Sequence, residues 1–161
     1  MANNISIYTD GAASGNPGPG GYGVVMISGQ HRKELSAGFR KTTNNRMELL
    51  AVIVALETLK FPNSDVTVYT DSKYVSEAIN QNWLQNWIKK GFNKVKNPDL
   101  WKRFIPIYNK HNVRFVWVKG HSDNIENNRC DELAVIESKK PNLPPDVFYE
   151  EIASKPDNTL F

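Results

Sequence analysis

Hydrophobic and polar positions alternate through the first forty residues of the chain. Ile5 and Ile7 are separated by polar neighbours and lead into Asp10-Gly11. Tyr22 to Ile27 reads as a second strand, and Leu35, Ala37 and Phe39 alternate with Glu34, Ser36 and Gly38 in a third. The short connections predict antiparallel hairpins. The period then changes. Thr42-Thr43-Asn44-Asn45 opens a helix that runs to about Lys60, apolar on nearly every side from Leu49 to Val54 and therefore buried, and Pro62-Asn63 ends it. Val66 and Val68 mark a fourth strand ending at Asp71. Helices are predicted from Lys73 to about Lys90, turning near Asn80 to Asn82, and from about Pro98 to Lys110, where Pro106 should kink the helix or limit its length. Val113 to Val118 is a fifth strand, and a polar loop, Gly120 to Asn124, leads to a last helix near Glu126 to Ser138. The order βββαβααβα predicts an α/β domain with a mixed five-stranded sheet, its first three strands antiparallel, and helices packed on its faces. In such sheets, sites gather where strand ends open a crevice. From Pro141 onward the chain holds four prolines. The expected division is therefore a domain over 1–140 and a loosely packed or extended tail over 141–161.

Composition narrows the class. At 161 residues the chain suits one domain, and its single cysteine, Cys130, rules out an internal disulfide and fits a reducing compartment. The N-terminus has no basic stretch followed by an apolar run, and the longest apolar run, Leu49 to Leu56, is too short to span a bilayer. A cytoplasmic protein without a membrane partner is expected. The net charge of +3 says little, but its distribution says more. Lys89, Lys90, Lys94, Lys96, Lys102 and Arg103 fall between Trp87 and Phe104 against one acid, Asp99, with Trp83, Trp87, Phe92 and Trp101 in or beside the stretch. Cations interleaved with flat rings suit a nucleic-acid backbone. A solvated helix face whose aromatics point into the core is the alternative.

Two predicted strand ends echo each other, Tyr8-Thr9-Asp10-Gly11 and Tyr69-Thr70-Asp71-Ser72. If these strands are neighbours, their aspartates lie close together. Glu48 sits one turn into the first helix and Asp131 one turn into the last. Carboxylates gathered in one place repel each other, and hard divalent cations relieve that repulsion. Each residue also has an ordinary structural reading. Asp10-Gly11 suits a turn. Asn45 and Glu48 have the spacing of a capping box. Asp71 could cap the following helix, and Asp131 could favour a positive helix end. His121, in the polar loop Gly120-His121-Ser122-Asp123, suits a proton carrier or an ordinary surface position. The run Gly15-Asn16-Pro17-Gly18-Pro19-Gly20-Gly21 lacks the Gly-Lys-Ser/Thr of a P-loop. It reads as a rigid connection, or as backbone laid against a substrate, which glycine permits.

Five segments taken in order resemble bacterial ribonuclease HI: Tyr-Thr-Asp-Gly with Gly-Asn-Pro-Gly-Pro-Gly-Gly-Tyr-Gly, Thr-Thr-Asn-Asn-Arg-Met-Glu-Leu, Thr-Asp-Ser, Trp-Val-Lys-Gly-His and Asn-Arg-Cys-Asp-Glu-Leu-Ala. The match runs from about residue 4 to about residue 138, and the separation of His121 from Asp131 fits the family. The resemblance implies a ribonuclease H-like fold and a magnesium-dependent endonuclease, a monomer, that hydrolyses the RNA strand of RNA–DNA hybrids. It implies that Asp10, Glu48, Asp71 and Asp131 hold two Mg²⁺ ions, with Mn²⁺ as the alternative, which activate the attacking water and stabilise the departing 3′ oxygen. Products would carry 5′-phosphate and 3′-hydroxyl ends. His121 would assist proton transfer or product release. Asn16, Asn44 and Asn45 would lie at the minor groove, where 2′-hydroxyls distinguish RNA from DNA. Thr43 would hold a DNA phosphate, and Trp83 with Lys89, Lys90, Lys94 and Lys96 would form a basic protrusion gripping the DNA strand.

The chain departs from the family pattern in three places. The protrusion Gly91 to Lys96 is short, Asn124-Ile125 replaces a frequent His-Pro, and Lys73 stands where glutamine is expected. These bear on affinity, loop mobility and one minor-groove contact. Three rival readings are a hybrid-binding module without catalysis, a DNA-directed nuclease or strand-transfer enzyme on the same fold, and an interaction domain. The full carboxylate set opposes the first, the asparagine group and the basic protrusion oppose the second, and the third leaves the motifs unexplained.

Overall fold

A computed structural model describes residues 4–120 and 123–154. The strands are β1 (Asn4–Ala13), β2 (Gly18–Ser28), β3 (His31–Thr42), β4 (Asp65–Thr70) and β5 (Asn112–Trp117). The helices are α1 (Asn44–Thr58), α2 (Lys73–Asn80), α3 (Trp83–Lys89), α4 (Pro98–Asn109), α5 (Ile125–Ser138) and α6 (Val147–Ser154). The sheet runs β3-β2-β1-β4-β5, antiparallel among the first three strands and parallel from β1 through β4 to β5. This is the mixed sheet expected from the sequence. The predicted break near Asn80 to Asn82 falls where α2 gives way to α3, with Asn82 in the left-handed region.

The parallel pairing of β1 with β4 decides the site. Tyr8 pairs with Tyr69 and Thr9 with Thr70, and the two tyrosine rings stack at 4.8 Å. The echoed sequences therefore lie in register, and Asp10 and Asp71 follow the last paired residues side by side. Asp10 does not form a turn, because β1 continues to Ala13 against β2.

Glycines set how closely the helices approach. Gly11 faces α1, and a Cβ there would come 2.4 Å from the carbonyl carbon of Met47. Gly23, opposite Asp10 on β2, faces α5, where a Cβ would sit 2.2 Å from the Cys130 oxygen. Successive residues of a strand point to opposite faces, so α1 and α5 cover opposite sides of the sheet. Gly20, Gly21 and Gly23 thus lie in β2, and the last two seat a helix rather than a substrate. Gly23→Ala should destabilise the protein by about 1–3 kcal/mol, since the added methyl must push α5 outward. Urea unfolding measures this, and an unchanged midpoint would show that α5 is not seated on the glycine.

The buried face of α1 includes Met47, Leu49, Ala51, Val52, Ile53 and Leu56, as its apolar sequence predicts. Trp101 and Phe104 of α4 are fully buried beside it and meet edge to face. Trp87 packs on Trp101 at 5.2 Å. The core reading therefore holds for Trp87 and Trp101, whereas Trp83 is 38% exposed. Pro106 lies inside α4, which ends three residues later.

The described part of the expected tail, 141–154, is docked rather than loose or extended, and 155–161 lie outside the described residues. The Arg40 amide donates to the Pro144 carbonyl at 2.9 Å, the Thr42 hydroxyl donates to the buried Asp146 carboxylate at 2.7 Å, and 147–154 form α6. Eight residues are too few to hold a helix alone. Tertiary partners that local sequence does not reveal hold this one.

Candidate functional site: an acidic cleft beside an asparagine turn

Asp10, Glu48 and Asp71 each place a carboxylate oxygen within 4.8 Å of the other two. They line a cleft of about 390 Å³ together with Asn44, Asn45, Lys73, Tyr74 and Asp131. Three of the four acidic residues named from sequence thus converge tightly, and Asp131 lines the same cleft without joining that tight group.

The structural alternatives for these residues do not hold. Thr43 caps α1, its hydroxyl accepting from the Arg46 amide at 3.2 Å, so Glu48 is not the partner in a capping box. Ser72, not Asp71, caps α2 by accepting from the Val75 amide. Asn124 caps α5, and Asp131 is the seventh residue of that helix, beyond the reach of the first-turn dipole.

Glu48 and Asp10 are buried, and Asp71 is half-buried. Burial and the neighbouring Asp71 carboxylate push Asp10 up from 3.8 to about 7. Burial, then Asp10 and Asp71, raise Glu48 well above the ordinary carboxylate range, and burial raises Asp71. The Gly11 amide donates to Asp10 Oδ1 at 2.8 Å. Glu48 Oε2 and Asp71 Oδ1 are buried and have no hydrogen-bond partner among the described residues. Buried carboxylate oxygens left without donors are costly unless a cation faces them. The donor set is all oxygen, which fits Mg²⁺ or Mn²⁺ rather than a softer metal.

This electrostatic arrangement has a measurable consequence. Because Asp10 titrates higher in the folded than in the unfolded chain, the folded protein holds more protons between pH 3.8 and 7. Stability therefore falls as pH rises through that window. For Asp10 alone the loss is of order 4 kcal/mol across about three pH units, and Glu48 and Asp71 act in the same direction. Melting in a chelator across pH 4–8 should show this fall, and millimolar Mg²⁺ should reverse it. A chelated profile that Asp10→Asn leaves unchanged would mean that the carboxylates do not crowd one another, because Glu34 and His111, both lowered, oppose the fall in the unmodified protein.

Beside the acids, two asparagines brace each other's loops. Asn16 Oδ1 accepts from the Asn44 amide at 2.9 Å, and Asn44 Oδ1 accepts from the Ala13 amide at 2.6 Å. Asn16, Asn44 and Asn45 line the surface here, and Thr43 is half-buried next to them. Lys89, Lys90, Lys94 and Lys96 lie on the end of α3 and the short connection to α4, where Phe92, Lys94 and Asn97 all take left-handed backbone angles. His121 lies outside the described residues. The last described residue before it, Gly120, passes so close to Asp71 that a Cβ would meet Oδ2 at 2.8 Å.

The structure adds Trp117 to the site and shows where Lys73, which the sequence set at a minor-groove contact, brings its charge. Trp117 donates from Nε1 to the Asp71 carbonyl at 2.9 Å, and Lys73 Nζ lies 5.2 Å from the centre of the Trp117 ring. Lys73 therefore brings a cation to the mouth of the acidic cleft. No single-residue signal in the sequence marks Trp117, because the contact depends on β5 pairing with β4.

Comparison with known proteins fits this geometry. The RNase H family model matches residues 2–139. Ribonuclease H of Desulforamulus reducens is 60% identical over 148 residues, covering 89% of this chain and 92% of the relative. Ribonuclease H of Trichodesmium erythraeum is 54% identical, covering 91% and 96%. Among solved structures, LC9-RNase H1, a type 1 RNase H with the type 2 active-site motif, aligns with a TM-score of 0.78 at 26% identity, covering all of this chain and 92% of the other. LC11-RNase H1, solved in complex with an RNA/DNA hybrid, aligns with a TM-score of 0.60 at 33% identity, covering 82% and 94%. The family model spans most of the chain, and the acidic cleft falls within it: this protein belongs to the ribonuclease H family.

Proposed function

We propose that the protein hydrolyses the RNA strand of RNA–DNA hybrids by a two-metal-ion mechanism, leaving 5′-phosphate and 3′-hydroxyl ends. The observation that carries this reading is the convergence of Asp10, Glu48 and Asp71, two of them with unpartnered buried oxygens, beside an asparagine turn. Asp10, Glu48, Asp71 and Asp131 are the residues to hold two Mg²⁺ ions, with Mn²⁺ as the alternative. Bound there, such ions supply an activated water and stabilise charge on the departing oxygen.

The chain's own groups do the rest. The carboxylates of Asp10 in β1, Glu48 in α1 and Asp71 directly after β4 are held by rigid elements, so they are positioned before substrate arrives. Asn16, Asn44 and Asn45 present amide groups that can donate to and accept from 2′-hydroxyls. Thr43, Trp83 and the lysines at 89, 90, 94 and 96 contact the DNA strand. His121 carries a proton at the scissile phosphate or aids product release.

The relative solved with a hybrid supports the substrate class. A monomer is the acting unit in this reading. The single buried thiol, Cys130, suits a cytoplasmic location. Among the described residues no helix is long and apolar enough to cross a membrane.

The deciding experiment offers matched RNA–DNA, RNA–RNA and DNA–DNA duplexes with Mg²⁺. Cleavage confined to the RNA of the hybrid is expected, and preferential DNA cleavage would reject the reading. Replacing the lysines at 89, 90, 94 and 96 by alanine should weaken hybrid binding and flatten its dependence on salt, by a slope of about 0.7–0.9 for each phosphate no longer neutralised. An unchanged slope would show that these lysines do not touch the backbone.

A further inference from the structure

Helix α6 lies outside the residues matched by the family model, yet it is firmly docked. Arg46, 3% exposed, binds Asp146 through Nε at 2.7 Å and Nη2 at 3.0 Å. Arg40 grips both Glu150 carboxylate oxygens, and the Arg46 guanidinium lies 5.5 Å from the centre of the Phe148 ring. These interactions hold α6 across the end of β3 and the start of α1.

Docked there, α6 encloses a groove of about 740 Å³. Residues 43–46 form one wall and residues 95–98 a second, while Phe148, Tyr149 and Ile152 of α6 form the third. Asn44 and Asn45 line both this groove and the acidic cleft, so the two are continuous. A duplex seated on the cleft must extend into neighbouring grooves, because its phosphates continue on either side of the scissile bond.

The groove's chemistry is asymmetric. One wall carries Lys96, which forms no ion pair among the described residues, and Thr43 and the asparagines supply polar groups. The α6 wall is apolar and aromatic, and Ile152 is 56% exposed. Glu150, the acid that follows Tyr149, is turned to Arg40, whose guanidinium offsets its charge and so weakens its repulsion of a phosphate. A surface of this kind suits a deoxyribose face. On the α6 side a ribose 2′-hydroxyl would lose water against Phe148 and Ile152, and Thr43, assigned above to the DNA strand, lines the same groove.

We infer that α6 is a third wall of the nucleic-acid groove, with Tyr149 and Ile152 contacting the sugars of the DNA strand. This rests on the hybrid-hydrolase reading and assigns the C-terminal segment a part in it.

Tyr149→Ala combined with Ile152→Ala should raise KM for the hybrid by about tenfold, in line with removal of one stacking interaction. The value of kcat should stay within about twofold, and the melting temperature should hardly move, because neither side chain belongs to the Arg46–Asp146–Phe148 anchor. A lowered melting temperature with unchanged KM would show that α6 is only structural and overturn the inference.

Photocross-linking settles the strand without altering α6. The Asp10→Asn protein is irradiated with hybrids carrying a p-azidophenacyl phosphorothioate on the DNA backbone or on the RNA backbone, and cross-linked peptides are mapped. Cross-links from the DNA strand to 147–154 are expected. Cross-links from the RNA strand alone, or none on α6, would overturn the assignment. Absence of any hybrid cleavage by the unmodified protein would instead reject the parent reading, so the two failures are distinguishable.

Discussion

Asp10→Asn and Asp71→Asn proteins should fold normally and lose cleavage by roughly 10³-fold or more, the scale of removing one group that stabilises transition-state charge. Both residues follow the last paired positions of the parallel β1–β4 ladder, and one oxygen of each lies within 4.8 Å of the other and of Glu48. An amide has nearly the same shape as the carboxylate, so the strand ends keep their geometry. It has no charge, so it holds a divalent cation poorly. The same substitution should stabilise the chelated protein. Asp10 is pushed up to about 7 by burial and by Asp71, so near neutral pH it is partly ionised in a place that disfavours its charge. Removing that charge removes the repulsion. The paired expectation is therefore lost activity with a raised melting temperature in chelator, and with a smaller rise from added Mg²⁺ than the unmodified protein shows. Retained activity in Asp10→Asn would remove the metal assignment. Lost activity with a lowered melting temperature would mean that the substitution damaged the fold instead.

The sequence made the sheet and the pairing of aspartates readable because both are local patterns repeated at a distance. Tyr-Thr-Asp occurs twice, each time after alternating apolar residues, and parallel pairing of those strands was enough to bring Asp10 to Asp71. Glu48 was ambiguous for a physical reason. A glutamate near a helix start after a threonine-asparagine run can cap or point away, and local sequence is the same in both cases. Only the burial of its side chain and the capping role of Thr43 separate them. The glycine-rich run was misleading in part, because a glycine under a helix and a glycine under a substrate look alike in sequence. Gly21 of that run, like Gly23 just beyond it, is explained by α5, about 110 residues farther along the chain. Helix α6 was unreadable because its stability comes from Arg46 and Arg40, charged residues that the linear sequence gives no reason to pair with Asp146 and Glu150.

Arg46→Ala should be the most destabilising change outside the apolar core. The guanidinium is buried and meets three partners at once: Asp146 ahead of α6, Asp99 in the first turn of α4 at 2.8 and 2.9 Å, and Asn97, the cap of α4, at 3.2 Å. It also sits between Asn44 and Asn45 and the buried Glu48 on the first turns of α1. Truncating it leaves two carboxylates facing a cavity without a counter-charge, a change that costs about 3–5 kcal/mol when a buried pair is broken from one side. For a domain of this size that corresponds to a fall of about 6–20 °C in melting temperature. Asp146→Asn should cost less. It frees the guanidinium from one acid only, and its remaining carbonyl oxygen can still accept from Thr42 and Arg46. The order Arg46→Ala below Asp146→Asn below the unmodified protein, read from thermal and urea midpoints, is the expected result. Equal midpoints for all three would show that α6 and the start of α1 are held by apolar contacts alone. An Asp146→Asn protein as unstable as Arg46→Ala would place the energy in the Asp146 charge rather than in the guanidinium that joins α1, α4 and α6.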